Sequence, residues 1–292
     1  MTPNRTFGLL LMTGAGLAWS SGGVLVRSLS FSDGWEIVFW RSLFLLPCLA
    51  AAVLVFHRGR LILPVLQVGR VGLIAGALLA VQVFCFLLAV TRTTVAETLV
   101  IMSISPFVAA LVGRVVLHEP VPLRTLIAMV VGFSGIAVMF TGSLGSGALV
   151  GNVIALGVSL AFAGQLVALR RQNAAVDMLP TVLIAGLISV PLALPFAWPL
   201  EATSRDLVFL AIMGAFQLAF GCALMTIAVR HLPAAEIGLF ALLETILGPL
   251  WVWMAYGERP TDLALFGALV VIGALAANAL LGLHRSSTAP SA

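Results

Sequence analysis

The chain has 292 residues, 61% hydrophobic and 9% charged, with a mean hydropathy of +1.17. A soluble domain carries roughly 25% charged residues, and disorder requires low hydrophobicity with high charge, so a water-soluble globule and a disordered chain are both excluded. All 15 basic residues are Arg, set against 11 acidic ones, which is too sparse a footprint for nucleic acid; what remains is an all-α polytopic membrane protein.

Each spanning helix takes about 20 apolar residues. The apolar runs predict ten, at 7–26, 35–56, 67–90, 94–117, 122–140, 148–169, 178–198, 206–229, 233–255 and 261–283. The connections are short and hold the turn-forming and charged residues, such as Arg58-Gly59-Arg60 and Gly257-Glu258-Arg259-Pro260. The first run lacks a strong basic region and a clear cleavage site, so it reads as a retained span. Cys48, Cys85 and Cys222 all sit inside apolar runs, so no disulfide framework is implied. With the N-terminus inside, ten Arg fall on the inner side and four (Arg27, Arg92, Arg205, Arg259) on the outer, with Arg41 inside a span. The positive-inside rule then puts both termini in the cytoplasm. The use of Arg for Lys, with the Ala, Leu, Val and Gly bias, suggests a GC-rich bacterial genome; the expected location is a bacterial inner membrane.

Polar groups in hydrocarbon are costly and each needs a reason. Trp19 precedes Ser20, Ser21, Gly22 and Gly23, a small-residue patch that admits a helix or a ligand. Arg41 lies roughly 9 Å deep in the second span at 1.5 Å per residue, where it must pair or snorkel; Glu97 or Glu244 would complete a structural ion pair, and a clamp on a substrate carboxylate is the other reading. Gln82 and Gln217 sit near midplane in spans three and eight, where amides suit a zwitterion or glue helices together. Phe86 and Phe162 could form an apolar wall. Glu97 and Glu236 stand at helix N-termini, favoured there by the helix dipole, as caps or as a pair of gates. Glu119 and Glu258 end spans four and nine and read as ties for hairpin loops. Pro106 and Pro249 interrupt the same two spans, as hinges or as packing kinks. Glu236, Phe240 and Glu244 share one helix face, matched on span four by Glu97, Ile101 and Ser105. Glu244, halfway along its span, would bind an ammonium group or carry a proton; a purely packing role is the bland reading.

No P-loop, dinucleotide fingerprint, His-Glu-x-x-His or Cys-x-x-Cys occurs, and the four His are dispersed. No enzyme, cofactor or metal site is expected. A shift of 139 residues lays Val90, Ala96 and Glu97 on Val229, Ala235 and Glu236, and Glu119 on Glu258. Two units follow, 1–141 and 142–292. Five spans each is odd, so the second enters the membrane inverted, giving ten transmembrane helices as two inverted five-helix repeats, an arrangement of many secondary transporters.

Trp19-Ser20-Ser21-Gly22, Phe39-Trp40-Arg41, Ala96…Pro106…Leu117-His118-Glu119-Pro120-Val121 and Ala235…Leu243-Glu244…Trp253…Tyr256-Gly257-Glu258-Arg259-Pro260 resemble the drug/metabolite transporter superfamily in its EamA branch. The departures are His118, where Gly is usual, and Pro249, five residues later than the usual Pro. The resemblance implies a monomeric secondary transporter that exports amino acids or related small metabolites by alternating access. Spans one, three, four, six, eight and nine would line its cavity, and protons are an open co-substrate. A multidrug or quaternary-ammonium exporter is the alternative within transport, and a non-transporting structural subunit the alternative outside it.

Overall fold

Apolar runs of this length can satisfy their backbone in hydrocarbon only by bonding internally, as helices. The computed structural model describes residues 5–143, 147–171, 177–228, 230–232 and 234–287, with side chains for all of these except 142, 143, 171, 234–242, 279 and 282–287. Among the described residues every regular element is helical: α1 (Arg5–Ser20), α2 (Gly22–Arg27), α3 (Gly34–Phe56), α4 (Ile62–Gln67), α5 (Gly69–Val90), α6 (Val95–Ser103), α7 (Ser105–Val116), α8 (Leu123–Ser143), α9 (Leu149–Arg171), α10 (Met178–Ala197), α11 (Ser204–Ile212), a π-helical stretch (Met213–Phe220), α12 (Gly221–Ala228), α13 (Ala234–Tyr256) and α14 (Asp262–Ser287).

Eight units are long and apolar enough to cross a membrane: α1–α2, α3, α5, α6–α7, α8, α9, α10, and α11 through α12. Helices α13 and α14 follow with 23 and 26 residues. Large apolar side chains cover the outside, with Val55 78% and Val130 71% exposed. A soluble monomer rarely shows an apolar patch beyond a few hundred Å², so this surface belongs in lipid, and the chain is a multi-pass membrane protein.

Local chemistry sets the ends. Asp33 accepts the Trp35 N–H at 3.0 Å to cap α3. Thr203 and Asp206 form a capping box on α11. Asp206 is fully buried and also accepts from Ser30 N (2.8 Å) and Ser30 Oγ (2.6 Å), which pins the α2–α3 turn to α11. Buried Glu36 does the same for the α10–α11 turn, accepting from Glu201 N and Ala202 N. Two turns that the 139-residue shift superposes share one backbone geometry: His118 has φ 57° and Gly257 φ 67°.

Three expected continuous helices are interrupted. The first breaks at Ser21. The fourth breaks at Ile104, and Pro106 occupies the first turn of α7, where its missing N–H costs nothing. The eighth carries the π-helical stretch, whose wider turn holds Gln217. Pro249, by contrast, sits inside α13 without ending it. The short α4 lies where a plain connection was expected.

Helix packing pairs α8 with α14, α5 with α9, and α3 with α10; α1 packs on α12 and α13, and α9 on α6 and α7. Where α8 crosses α14 the backbones nearly touch, since a Cβ on Gly135 would stand 2.8 Å from the Gly267 carbonyl oxygen. Small residues permit that approach between membrane helices.

Candidate functional site

A buried polar cluster forms around α1, α3, α12, α13 and the π-helical stretch. Arg41 is 4% exposed and donates from Nη2 to Gln217 Oε1 at 2.9 Å. Gln217 in turn donates from Nε2 to the Trp19 carbonyl at 3.2 Å. Glycine makes this packing possible. A Cβ on Gly214 would lie 2.6 Å from the Arg41 carbonyl oxygen, and one on Gly22 would lie 3.0 Å from Gln217 Nε2. The Trp19 indole lies against Gly221. Two buried donors in the cluster, Arg41 Nε and Trp19 Nε1, have no hydrogen-bond partner among the described residues.

Glu244 on α13 and Cys222 on α12 are the ionisable groups that couple electrostatically to Arg41. Among the described residues no hydrogen-bond donor serves the Glu244 carboxylate, which stays half-buried halfway along its helix. The cluster therefore presents unpaired N–H groups on a cation and an indole, and an unpaired carboxylate. Among the described residues Arg41 forms no ion pair with Glu97 or Glu244, and the Gln217 amide on the π-helical stretch accepts from its Nη2 instead.

Gln82 and Gln217 make separate hydrogen bonds. Gln82 donates to Gln165 Oε1 at 2.9 Å and lines a cavity of about 270 Å³ with Phe162, Gln165, Met178 and Thr181, between α5, α9 and α10. Phe86 does not join it; its ring packs against the core around Val26, Ile37 and Leu87. Ser20 accepts from Trp251 Nε1 at 3.1 Å, and Ser105 donates to Ser159 Oγ at 3.1 Å, so both serve as helix-to-helix bonds. Glu97 is 3% exposed and bonds Thr93, whose hydroxyl also meets Asn152 Oδ1. The Glu236 and Phe240 side chains lie outside the described residues. Among the described residues no group of three His, Cys, Asp or Glu could hold a metal.

Two Arg–Glu pairs lie at opposite ends of the bundle. Arg27 bonds Glu258 at 2.6 Å, and Arg170 bonds Glu119 at 2.6 Å. The sequence marked both Glu residues as loop ties but offered no partner, since 231 residues separate Arg27 from Glu258.

The EamA-like transporter family model matches residues 6–141 and again 149–280. The pseudopaline exporter CntI of Pseudomonas aeruginosa, in two strains, is 26% identical over 277 residues, covering 91% of this chain and 93% of its own. A solved crystal structure superposes with a TM-score of 0.67 at 16% identity, over 95% of this chain and 99% of that one. At that identity the likeness speaks for the fold alone.

Proposed function

The chain belongs to the EamA-like transporter family, and from that premise we propose that it exports zwitterionic small metabolites, amino acids foremost, across a bacterial inner membrane by alternating access. The central cluster carries the reading. A transported zwitterion brings one carboxylate and one ammonium group. The first suits the unpaired N–H groups of Arg41 and Trp19, and the second suits the unpaired Glu244 carboxylate. Each buried donor left unsatisfied costs roughly 1–3 kcal/mol, so a substrate carboxylate that partners Arg41 and Trp19 recovers that cost, while the substrate ammonium meets the half-buried Glu244 carboxylate. A multidrug exporter of cations would use Glu244 and leave Arg41 opposing its cargo.

In this reading α13 and α14 are the ninth and tenth spans, and 1–141 and 142–292 are inverted repeats. The family model matches once in each half. Helix pairing supports the same division. Exchanging each span with the one five places on turns α5 on α9 into α12 on α1. The same exchange turns α6–α7 on α9 into α13 on α1, and it leaves α3 on α10 and α8 on α14 as self-matched pairs. The Arg27 end is the outer one, because the Arg excess lies at the other.

The test is uptake of a labelled amino-acid panel into proteoliposomes, with and without an imposed pH gradient. Saturable uptake, competed across the panel, is expected, and the gradient reports whether protons are coupled. Folded protein that moves no amino acid overturns the substrate class.

A further inference from the structure

The two ion pairs are counterparts, yet they sit differently. The 139-residue shift lays Glu119 on Glu258, and Arg170 stands one turn beyond the position matched to Arg27. Each pair joins helices that exchange under the repeat: α7 with α9 in one case, α13 with α2 in the other. The Arg27–Glu258 pair is also seated on a third element. Arg27 donates to the Val90 carbonyl at 3.1 Å and the Thr93 carbonyl at 2.9 Å, and Glu258 accepts the Val95 N–H at 3.0 Å. Those atoms form the α5–α6 turn. The seat joins the two halves of the packing: α1 packs on α2, α12 and α13, α9 packs on α5, α6 and α7, and α6 meets α13 between them. Glu258 further gains the positive end of α6. The Arg170–Glu119 pair has one bond, lies over Gly113 within its own half, and is bound to no opposite turn among the described residues. Its side chains are 46% and 42% exposed, against 26% and 22% for Arg27 and Glu258.

We propose that Arg27–Glu258 is the latch that holds the outer mouth shut in this structure, and that Arg170–Glu119 is the inner latch, released here. The inference rests on the alternating-access reading and names the side chains that set its two end states. In the opposite state the outer pair leaves the α5–α6 turn. The inner pair then seats on the matched backbone of the second repeat, with Leu232 standing for Thr93 and Ala234 for Val95. The cavity of about 270 Å³ between α5, α9 and α10 lies toward the inner end, and a second of about 490 Å³, lined by Leu17, Ser21, Val24, Trp251, Met254 and Ala255, lies toward the outer end.

Distances between spin labels test this without any substrate, so a wrong substrate class leaves the readout intact. In a chain whose three cysteines are Ser, labels at Arg92 and Thr261 span the outer mouth, and labels at Pro122 and Arg230 span the inner one. Glu258→Gln is expected to lengthen the outer distance and shorten the inner distance together. Glu119→Gln is expected to remove whatever outward-open population wild type shows. Both variants keep wild-type thermal stability within a few degrees. A purely structural tie predicts something else: Glu258→Gln would broaden the outer distance and leave the inner one unchanged. That result, or no change at either mouth, overturns the proposal. Should Glu258→Gln unfold the chain, Arg27→Lys, which keeps the charge but loses the fork, reads the same distances.

Discussion

Arg41 donates to the Gln217 amide oxygen across 2.9 Å, although 176 residues separate them in the chain. The bond places an obligate cation against a neutral acceptor rather than a carboxylate. The guanidinium keeps its full charge toward whatever occupies the cluster, and Glu244 is left unneutralised by direct contact. Leaving a buried donor without its partner costs about 1–3 kcal/mol, and more when the donor is charged. Gln217→Leu is therefore expected to lose about 3 kcal/mol in detergent-solubilised unfolding, together with transport. Gln217→Glu, which still accepts from Arg41, is expected to keep the wild-type melting temperature while transport falls at least tenfold, because the cation is then neutralised. Equal melting losses in both variants would show that shape, not charge, holds Arg41.

The turn at His118 gives a gain-of-stability test. Its φ of 57° lies in the left-handed region, while the matched turn uses Gly257 at φ 67°. An L-residue with a Cβ carries about 1–2 kcal/mol of strain there, offset in part by the greater chain entropy that Gly loses on folding. His118→Gly is expected to raise stability by about 0.5–1 kcal/mol, read as a higher melting temperature with unchanged transport. The sign reverses at Gly257, where substitution by Ala should destabilise by a similar amount although open space surrounds it.

Hydropathy made eight of the crossing units legible, since a run of about 20 apolar residues has only one backbone solution in lipid. The break at Ile104 and the π-helical turn around Gln217 were not legible. Both are single shifts in hydrogen-bond register that leave the apolar count untouched. Pro106 was visible as an interruption; that it begins a new helix instead of kinking an old one is decided by the packing of α7 on α9. The sequence placed Gln82 and Gln217 at one depth but did not show their partners, Gln165 and Arg41, because depth along a span is readable and rotation about it is not. The latch was half visible. Glu119 and Glu258 showed themselves through the repeat, but an Arg ending a span reads as an interfacial anchor until a partner 231 residues away is placed beside it.

The π-helical stretch also fixes how close the eighth span comes to α3. At Gly214 an added Cβ would meet backbone, with the Arg41 oxygen at 2.6 Å and Leu45 N at 2.8 Å. Backbone cannot rotate away as a side chain can. Overpacking typically costs about 1–3 kcal/mol, and Gly214→Ala should lie at the upper end, with reduced transport because Arg41 is displaced. Gly273, with nothing within 4 Å of an added Cβ, is the control. Gly273→Ala should be neutral or slightly stabilising, as expected for Gly to Ala in a helix. If both variants unfold alike, helix propensity and not the close approach governs these sites.

The zwitterion reading makes its sharpest demand on substrate analogues. If Arg41 and Trp19 take the carboxylate and Glu244 the ammonium, then deleting either group from the substrate must hurt. A hydrogen bond to a charged group contributes about 1.5–3 kcal/mol, so an amine lacking the carboxylate and an acid lacking the amine should each compete roughly 10- to 100-fold less well. Glu244→Gln is expected to fold and insert normally and to lose transport. Its residual binding should no longer distinguish the amino acid from the acid lacking the amine. Arg41→Lys should blur the opposite distinction, between the amino acid and the amine. This crossed pattern requires each side chain to face one substrate group. If Glu244→Gln instead weakened both analogues equally, the carboxylate would be acting on the bundle and not on the cargo, and transport at the wild-type rate in Glu244→Gln would remove it from the site altogether.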